Sequence, residues 1–247
     1  MRHLILSDMH GNWEALNAVL RRVRRKRFDR ILVLGDLVGY GAGPNQVVES
    51  IRALPGEVFA VRGNHDKVVA GIEDGENFNP AALRAARWTT ERLTATNLRY
   101  VAELPRGPIV VDEDLVICHG SPLDEDAYTF SDFDAYQIFA EHHAGVTFFG
   151  HTHIPSLFVQ HPGGIEVALL RGEEGSISIE PGVRYLINPG SVGQPRDRDP
   201  RAAYMTYDSE SATVHWHRLE YPVDQAQERI VKAGLPRVLA ERLAIGV

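Results

Sequence analysis

Three apolar runs in the first quarter of the chain each end in residues that the interior of a buried strand does not tolerate. Arg2 to Ser7 leads into Asp8-Met9-His10, Ile31 to Leu34 into Gly35-Asp36, and Val58 to Val61 into Gly63-Asn64-His65-Asp66. Between the first two, Trp13, Leu16, Val19, Leu20 and Val23 recur at helical spacing within Asn12 to Arg25, and Pro44 to Leu54 reads as a second helix. Strand, polar turn and helix, repeated, predicts parallel strands joined by crossover helices. In such sheets ligands gather beyond the carboxyl ends of the strands, where all three turns fall.

The rhythm continues and then changes. Ile72 to Pro80 reads as a polar, flexible connection, and Asn79-Pro80 opens a helix running to about Leu93. Leu115 to Cys118 is a strand ending at His119-Gly120, Asp132 to His143 a helix, and Val146 to Phe149 a strand ending at Gly150-His151-Thr152-His153. Beyond these, Leu157 to Gln160, Ile165 to Leu169, Ser176 to Ile179, Arg184 to Ile187, Ala203 to Tyr207 and Thr213 to Arg218 are short runs between Gly and Pro turns, which read as antiparallel hairpins. Val223 to Ile245 returns to helix, broken at Gly234-Leu235-Pro236. No repeat or linker divides the chain, so residues 1–247 read as one α/β domain with two packed sheets, helices outside and a helical extension from about 223.

Composition excludes several classes. An apolar share of 44% in 247 residues suits an ordinary core, and a net charge of −7 disfavours binding nucleic acid through bulk charge. No apolar run approaches the ~20 residues of a membrane span, and the N-terminus lacks a signal-peptide pattern, so a soluble cytoplasmic protein is expected. The basic run Arg21, Arg22, Arg24, Arg25, Lys26 and Arg27 complements a helix C-terminus and reads as a solvated helix end. Cys118, the single cysteine, reads as a buried small hydrophobe. In His215-Trp216-His217 alternation places both imidazoles on one face, as surface decoration around a core tryptophan.

The polar segments together hold two carboxylates, an amide oxygen and four imidazoles that can converge on two divalent ions, with His65 left over. Carboxylate and imidazole donors suit Mn²⁺, Fe, Zn²⁺, Co²⁺ or Ni²⁺ better than Mg²⁺ or Ca²⁺. Two ions ~3.5–4 Å apart can polarise a phosphoryl group, lower the pKa of a shared water and stabilise a leaving oxygen. Holding two like charges close requires a bridging carboxylate, for which Asp36 is the candidate.

In this order and with these neighbours, the five segments from Asp8-Met9-His10 to Gly150-His151-Thr152-His153 resemble those of the calcineurin-like metallophosphoesterases. The resemblance extends from Ser7 to about Arg198, and points to the bacterial and archaeal phosphodiesterase branch related to symmetrical diadenosine tetraphosphatases. It implies a four-layer αββα sandwich of two mixed sheets. It also implies Asp8, His10 and His153 on one metal, Asn64, His119 and His151 on the other, and Asp36 on both. His65 is implied as the acid that protonates the leaving oxygen, or as a ligand of a phosphoryl oxygen, while Asp66 reads as a helix cap.

Protein serine/threonine phosphatases follow the bridging Asp with a further Asp and an Arg. Here the chain reads Leu37-Val38-Gly39-Tyr40-Gly41-Ala42-Gly43-Pro44, which speaks against that activity and leaves His65 without an identified partner. The Gly39-Tyr40-Gly41 turn either admits a flat ligand beside Tyr40 or serves backbone geometry alone. In the loop Asn188 to Arg198, Arg196 and Arg198 either clamp phosphate oxygens or pair with Asp197 and Asp199. The expected activity is hydrolysis of small phosphomonoesters or phosphodiesters by a metal-bound hydroxide, with nucleotides as leading substrates. Hydrolysis of dinucleoside polyphosphates is the alternative, and a non-catalytic scaffold would not need the full ligand set with His65.

Overall fold

In the computed structural model, which describes residues 1–247, the early alternation is present. Strand β1 (Arg2–Leu6), helix α1 (Trp13–Val23), β2 (Arg30–Val33), α2 (Pro44–Arg52) and β3 (Glu57–Ala60) follow in order, with β1, β2 and β3 parallel. Asn12 caps α1 by accepting from Ala15 N–H at 3.1 Å. Successive residues of β1 and β2 face opposite layers: Leu4, Leu6, Ile31 and Val33 pack under the helices, while Ile5, Leu32 and Leu34 pack between the sheets. Burial on both faces is why these strands read as unbroken apolar runs.

Helices α3 (Asn64–Val69), α4 (Pro80–Arg92) and α5 (Ala95–Ala102) cover the same sheet, and β4 (Ile109–Asp112) and β5 (Leu115–Ile117) begin a second one. Neither α5 nor β4 stands out in the sequence, since each is short and buries few apolar residues. Helix α6 (Asp132–Glu141) packs Ala135, Ile138 and Phe139 on the outer face of the second sheet, with Cys118 buried beside them. Strand β6 (Val146–Phe148) lies parallel to β5.

The late strands are β7 (Ser156–His161), β8 (Gly164–Leu169), β9 (Glu174–Ser178), β10 (Arg184–Asn188), β11 (Ala202–Asp208) and β12 (Thr213–Leu219). Two six-stranded sheets result, in the orders β3-β2-β1-β11-β12-β9 and β4-β5-β6-β10-β7-β8. They form an αββα sandwich. The expectation of plain hairpins holds for β7–β8 and β11–β12 but not for β9 and β10. Strand β9 crosses to pair with β12, and β10 inserts between β6 and β7, parallel to the former. Tyr185, Leu186 and Ile187 of β10 are all buried, as a central strand with two covered faces requires.

At the C-terminal end, α7 (Val223–Lys232), α8 (Arg237–Glu241) and a 3₁₀ turn (Arg242–Ala244) join the helical layer, with Ala226, Ile230, Leu239 and Leu243 in the same core as α1. His217 departs from the expected surface role. It stacks on Tyr204 at 4.8 Å between centroids, whereas His215 is exposed and Trp216 packs against the core between the sheets. No helix is long and apolar enough to cross a membrane.

Candidate metal centre

The parallel strands of both sheets deliver their polar turns to one end of the sandwich. Asp8 follows β1, Asp36 follows β2, Asn64 follows β3, His119 follows β5 and His151 follows β6. Asp8, His10, Asp36, His151 and His153 all take positive φ, between 47° and 66°. Asp and His tolerate this left-handed region better than most residues, yet each instance costs of order 1–3 kcal/mol and persists only where the surroundings impose it. Backbone bonds supply that constraint: Asp8 N–H to Gly35 O (3.1 Å), His10 N–H to Asp36 O (2.9 Å) and Gly150 N–H to His119 O (2.7 Å) lash the turns together. Gly63 is obligatory for a related reason, since a Cβ there would lie 2.1 Å from Asp36 Oδ1.

Two clusters of donor atoms form. Asp8, His10, Asp36 and His153 converge on one point and Asp36, His119 and His151 on a second, so Asp36 belongs to both. Asn64 Oδ1 lies 3.2 Å from His119 Nε2 and joins the second group. Backbone carbonyls hold the outer nitrogens: Val38 O meets His10 Nδ1 (3.2 Å), Leu34 O meets His119 Nδ1 (2.7 Å), Gln194 O meets His153 Nδ1 (2.6 Å) and Asp126 O meets His151 Nε2 (3.1 Å). Such carbonyls take the ring proton and aim the other nitrogen's lone pair inward, as metal-ligating histidines require.

The electrostatics fit a cation. Burial drives His10 and His151 well below the ordinary histidine range, and lowers His153 to about 4, so these rings stay neutral. His10 Nε2 and His153 Nε2 stand 3.0 Å apart with both outer protons committed to carbonyls, an arrangement of facing lone pairs that a positive ion between them resolves. Burial also pushes the Asp36 carboxyl well above its usual range, the mark of a charge without its counterion. On Asp8 burial acts the same way, but in the acid range where this carboxyl would take a proton His153 is itself protonated, and its charge and hydrogen bond, with His119 and Ser7, prevail and hold the carboxyl low.

Beside the clusters lies a cavity of about 290 Å³ lined by Asp36, Asn64, His65, His151, His153, Tyr40 and Arg196, among others. The His65 ring packs between Tyr40 and Phe78, each 4.4 Å away between centroids. Its Nδ1 is buried without a hydrogen-bond partner, and a Cβ on Gly39 would come within 2.5 Å of it. That nitrogen is sealed, which leaves Nε2 for the cavity. Burial, reinforced by the Arg196 charge, holds His65 well below the ordinary range. Asp66 caps α3 by accepting from Gly63 N–H (3.0 Å), and its carboxylate also receives Leu37 and Val38 N–H, bracing the Asp36 turn.

Tyr40 is only 6% exposed. His10 and His65 pack on it, and the guanidinium carbons of Arg196 and Arg242 lie 5.9 and 5.8 Å from its centroid, so it offers no free face to a flat ligand. Arg196 makes no ion pair: Nη2 donates to Tyr40 Oη (3.3 Å) and Gln194 Oε1 (3.0 Å), and Nε is buried without a partner. The acids that flank it are paired elsewhere, Asp197 with Arg218 and Asp199 with Arg201. Arg198 is exposed and does not reach the cavity, its backbone N–H held by Gly246 O. The sequence carried no signal for Arg242, Phe78, Asp126 or Tyr128, because none sits in a motif.

Residues 1–212 match the calcineurin-like phosphoesterase superfamily domain. A protein of Methanocaldococcus jannaschii is 38% identical over 247 residues, 98% of this chain and 97% of the relative. The symmetrical bis(5'-nucleosyl)-tetraphosphatase of Sodalis glossinidius is 36% identical over 124 residues, 48% of this chain and 43% of that enzyme. The crystal structure of a metallophosphoesterase from Sphaerobacter thermophilus superposes with a TM-score of 0.86 at 38% identity, covering 100% of this chain and 99% of that one. Domain match, full-length relative and donor geometry agree: the chain belongs to the calcineurin-like phosphoesterase superfamily, as a phosphoesterase enzyme.

Proposed function

We propose that the protein is a binuclear metal-dependent hydrolase of small phosphoesters, with Asp8, His10 and His153 on one ion, Asn64, His119 and His151 on the other, and Asp36 bridging. The observation that carries this reading is the sharing of Asp36 by two donor clusters. When bound, divalent ions polarise a phosphoryl group and lower the pKa of an attacking water. Arg196, free of any acidic partner, binds a phosphoryl oxygen and orients the ester.

His65 moves a proton at Nε2 to the leaving oxygen. An acid must first carry that proton, and burial keeps the free ring neutral. The negative charge of a phosphoryl group beside the ring opposes both its desolvation and the field of Arg196, and so favours the protonated form with substrate in place. Dinucleoside polyphosphates are the second reading, favoured by the partial likeness to the Sodalis tetraphosphatase. A screen of phosphomonoesters, phosphodiesters and dinucleoside polyphosphates with Mn²⁺ and its neighbours, identifying products, tests both. Turnover of small esters supports the first, preferential cleavage of a dinucleoside polyphosphate supports the second, and inertness toward all three refutes both.

A further inference from the structure

At the rim of the cavity two large rings stand in water, Tyr128 at 48% and Phe130 at 56% exposure. Tyr128 lines the cavity and stacks on His151, centroids 4.0 Å apart and planes 20° from parallel. Phe130 extends the stack, 5.2 Å from Tyr128 with an interplanar angle of 11°. A ladder of near-parallel rings thus leads outward from a candidate metal ligand. Rings left this exposed forgo hydrophobic stabilisation, and those held parallel to one another offer a ready platform for another flat ring. Tyr40 cannot serve, being enclosed by His10, His65, Arg196 and Arg242.

We propose that the outer face of Phe130, held flat by Tyr128, is the stacking site for the nucleobase of a nucleotide whose phosphate lies at the His151 side of the cavity. The inference rests on the phosphoesterase reading above and adds the substrate class. A nucleobase fits better than a protein side chain because the ladder runs from His151 itself out to Phe130, so a ring at its open end and a phosphate at its inner end are spanned by one ligand that carries both. The polar amides of Asn77 and Asn79 in the same cavity wall can meet a ribose or base edge.

The test measures equilibrium binding to the metal-loaded full chain, by calorimetry, of two probes without an ester to cleave: methylphosphonate and the 5'-phosphonate analogue of adenosine monophosphate. The nucleoside probe should bind about tenfold more tightly, as base stacking on one aromatic side chain allows. Phe130→Ala and Tyr128→Leu should each bring the ratio toward one, and Tyr128→Phe should keep it. Equal affinities in the wild type, or a ratio indifferent to Phe130→Ala, would overturn the proposal. A clear nucleoside preference in a protein that hydrolyses no phosphoester would uphold the stacking site while refuting the catalytic reading.

Discussion

Lys67 Nζ, on a side chain that is 1% exposed, donates to Asp126 Oδ2 at 2.5 Å, and the backbone carbonyl of that same Asp126 orients His151. Glu73 and Glu125 complete the acid cluster around the ammonium. Helix α3 therefore positions a candidate ligand that follows β6, through one buried cation. Lys67→Met should free Asp126 and weaken the ion on Asn64, His119 and His151 about 10–100-fold, the usual effect of losing an outer support, with less effect on the other ion. Metal titration followed for each site decides this. Equal weakening of both would reduce Lys67 to a general stabiliser.

Asp36 serves both clusters, so Asp36→Asn should lower the metal content from two ions to one or none per chain. Elemental analysis of carefully loaded protein provides the count. Two ions retained in the variant would remove Asp36 from its bridging role.

His65→Asn should keep its metals yet lose roughly 10²–10⁴-fold in turnover, the range for removing a general acid. The loss should be greater for alkyl than for nitrophenyl esters, whose leaving groups need little protonation. Gly39→Ala should mimic it, because the new Cβ would strike His65 Nδ1 and the φ of +94° is strained for any side chain. Equal losses on both esters would make His65 a phosphate-positioning residue.

Arg196→Ala should raise KM about tenfold or more, since a charge-assisted hydrogen bond contributes about 1.5–3 kcal/mol. Arg196→Lys should recover only part of this, because an ammonium lacks the paired donors. Steady-state kinetics at saturating metal measures both, and an unchanged KM in the alanine variant would place the phosphate elsewhere.

Stability should fall as the pH drops from 6.5 toward 4. Burial lowers His217 to about 4, with Lys26, His215 and Arg22 adding repulsion, so over this window the unfolded chain binds a proton that the folded chain refuses. The refused proton costs stability progressively as the pH falls through the window, and costs nothing above it, where both states are neutral. His217→Phe should flatten the urea-measured stability between pH 6.5 and 4. An identical pH slope in the variant would assign the acid lability to other groups, of which His3, also lowered to about 4 by burial, is the first to examine.

Amino-acid order alone determined the strand-turn-helix rhythm, because strands buried on both faces read as apolar runs and their turns then accumulate the polar residues. It likewise marked all seven ligand candidates, since few side-chain types can bind a divalent ion and each lies beside a strand end. Only the tertiary structure decided which nitrogen of each imidazole faces inward, a matter settled by carbonyls such as Leu34 O and Gln194 O from other loops. It also decided that Arg196 stays unpaired while Asp197 and Asp199 find other arginines, that Arg198 turns away, and that Arg242 arrives over Tyr40 from the far end of the chain. Local propensity extends over a few residues. Pairings such as Tyr40 with Arg242, or β9 with β12 after the chain has crossed from one sheet to the other, depend on where the whole backbone is carried by its packed core.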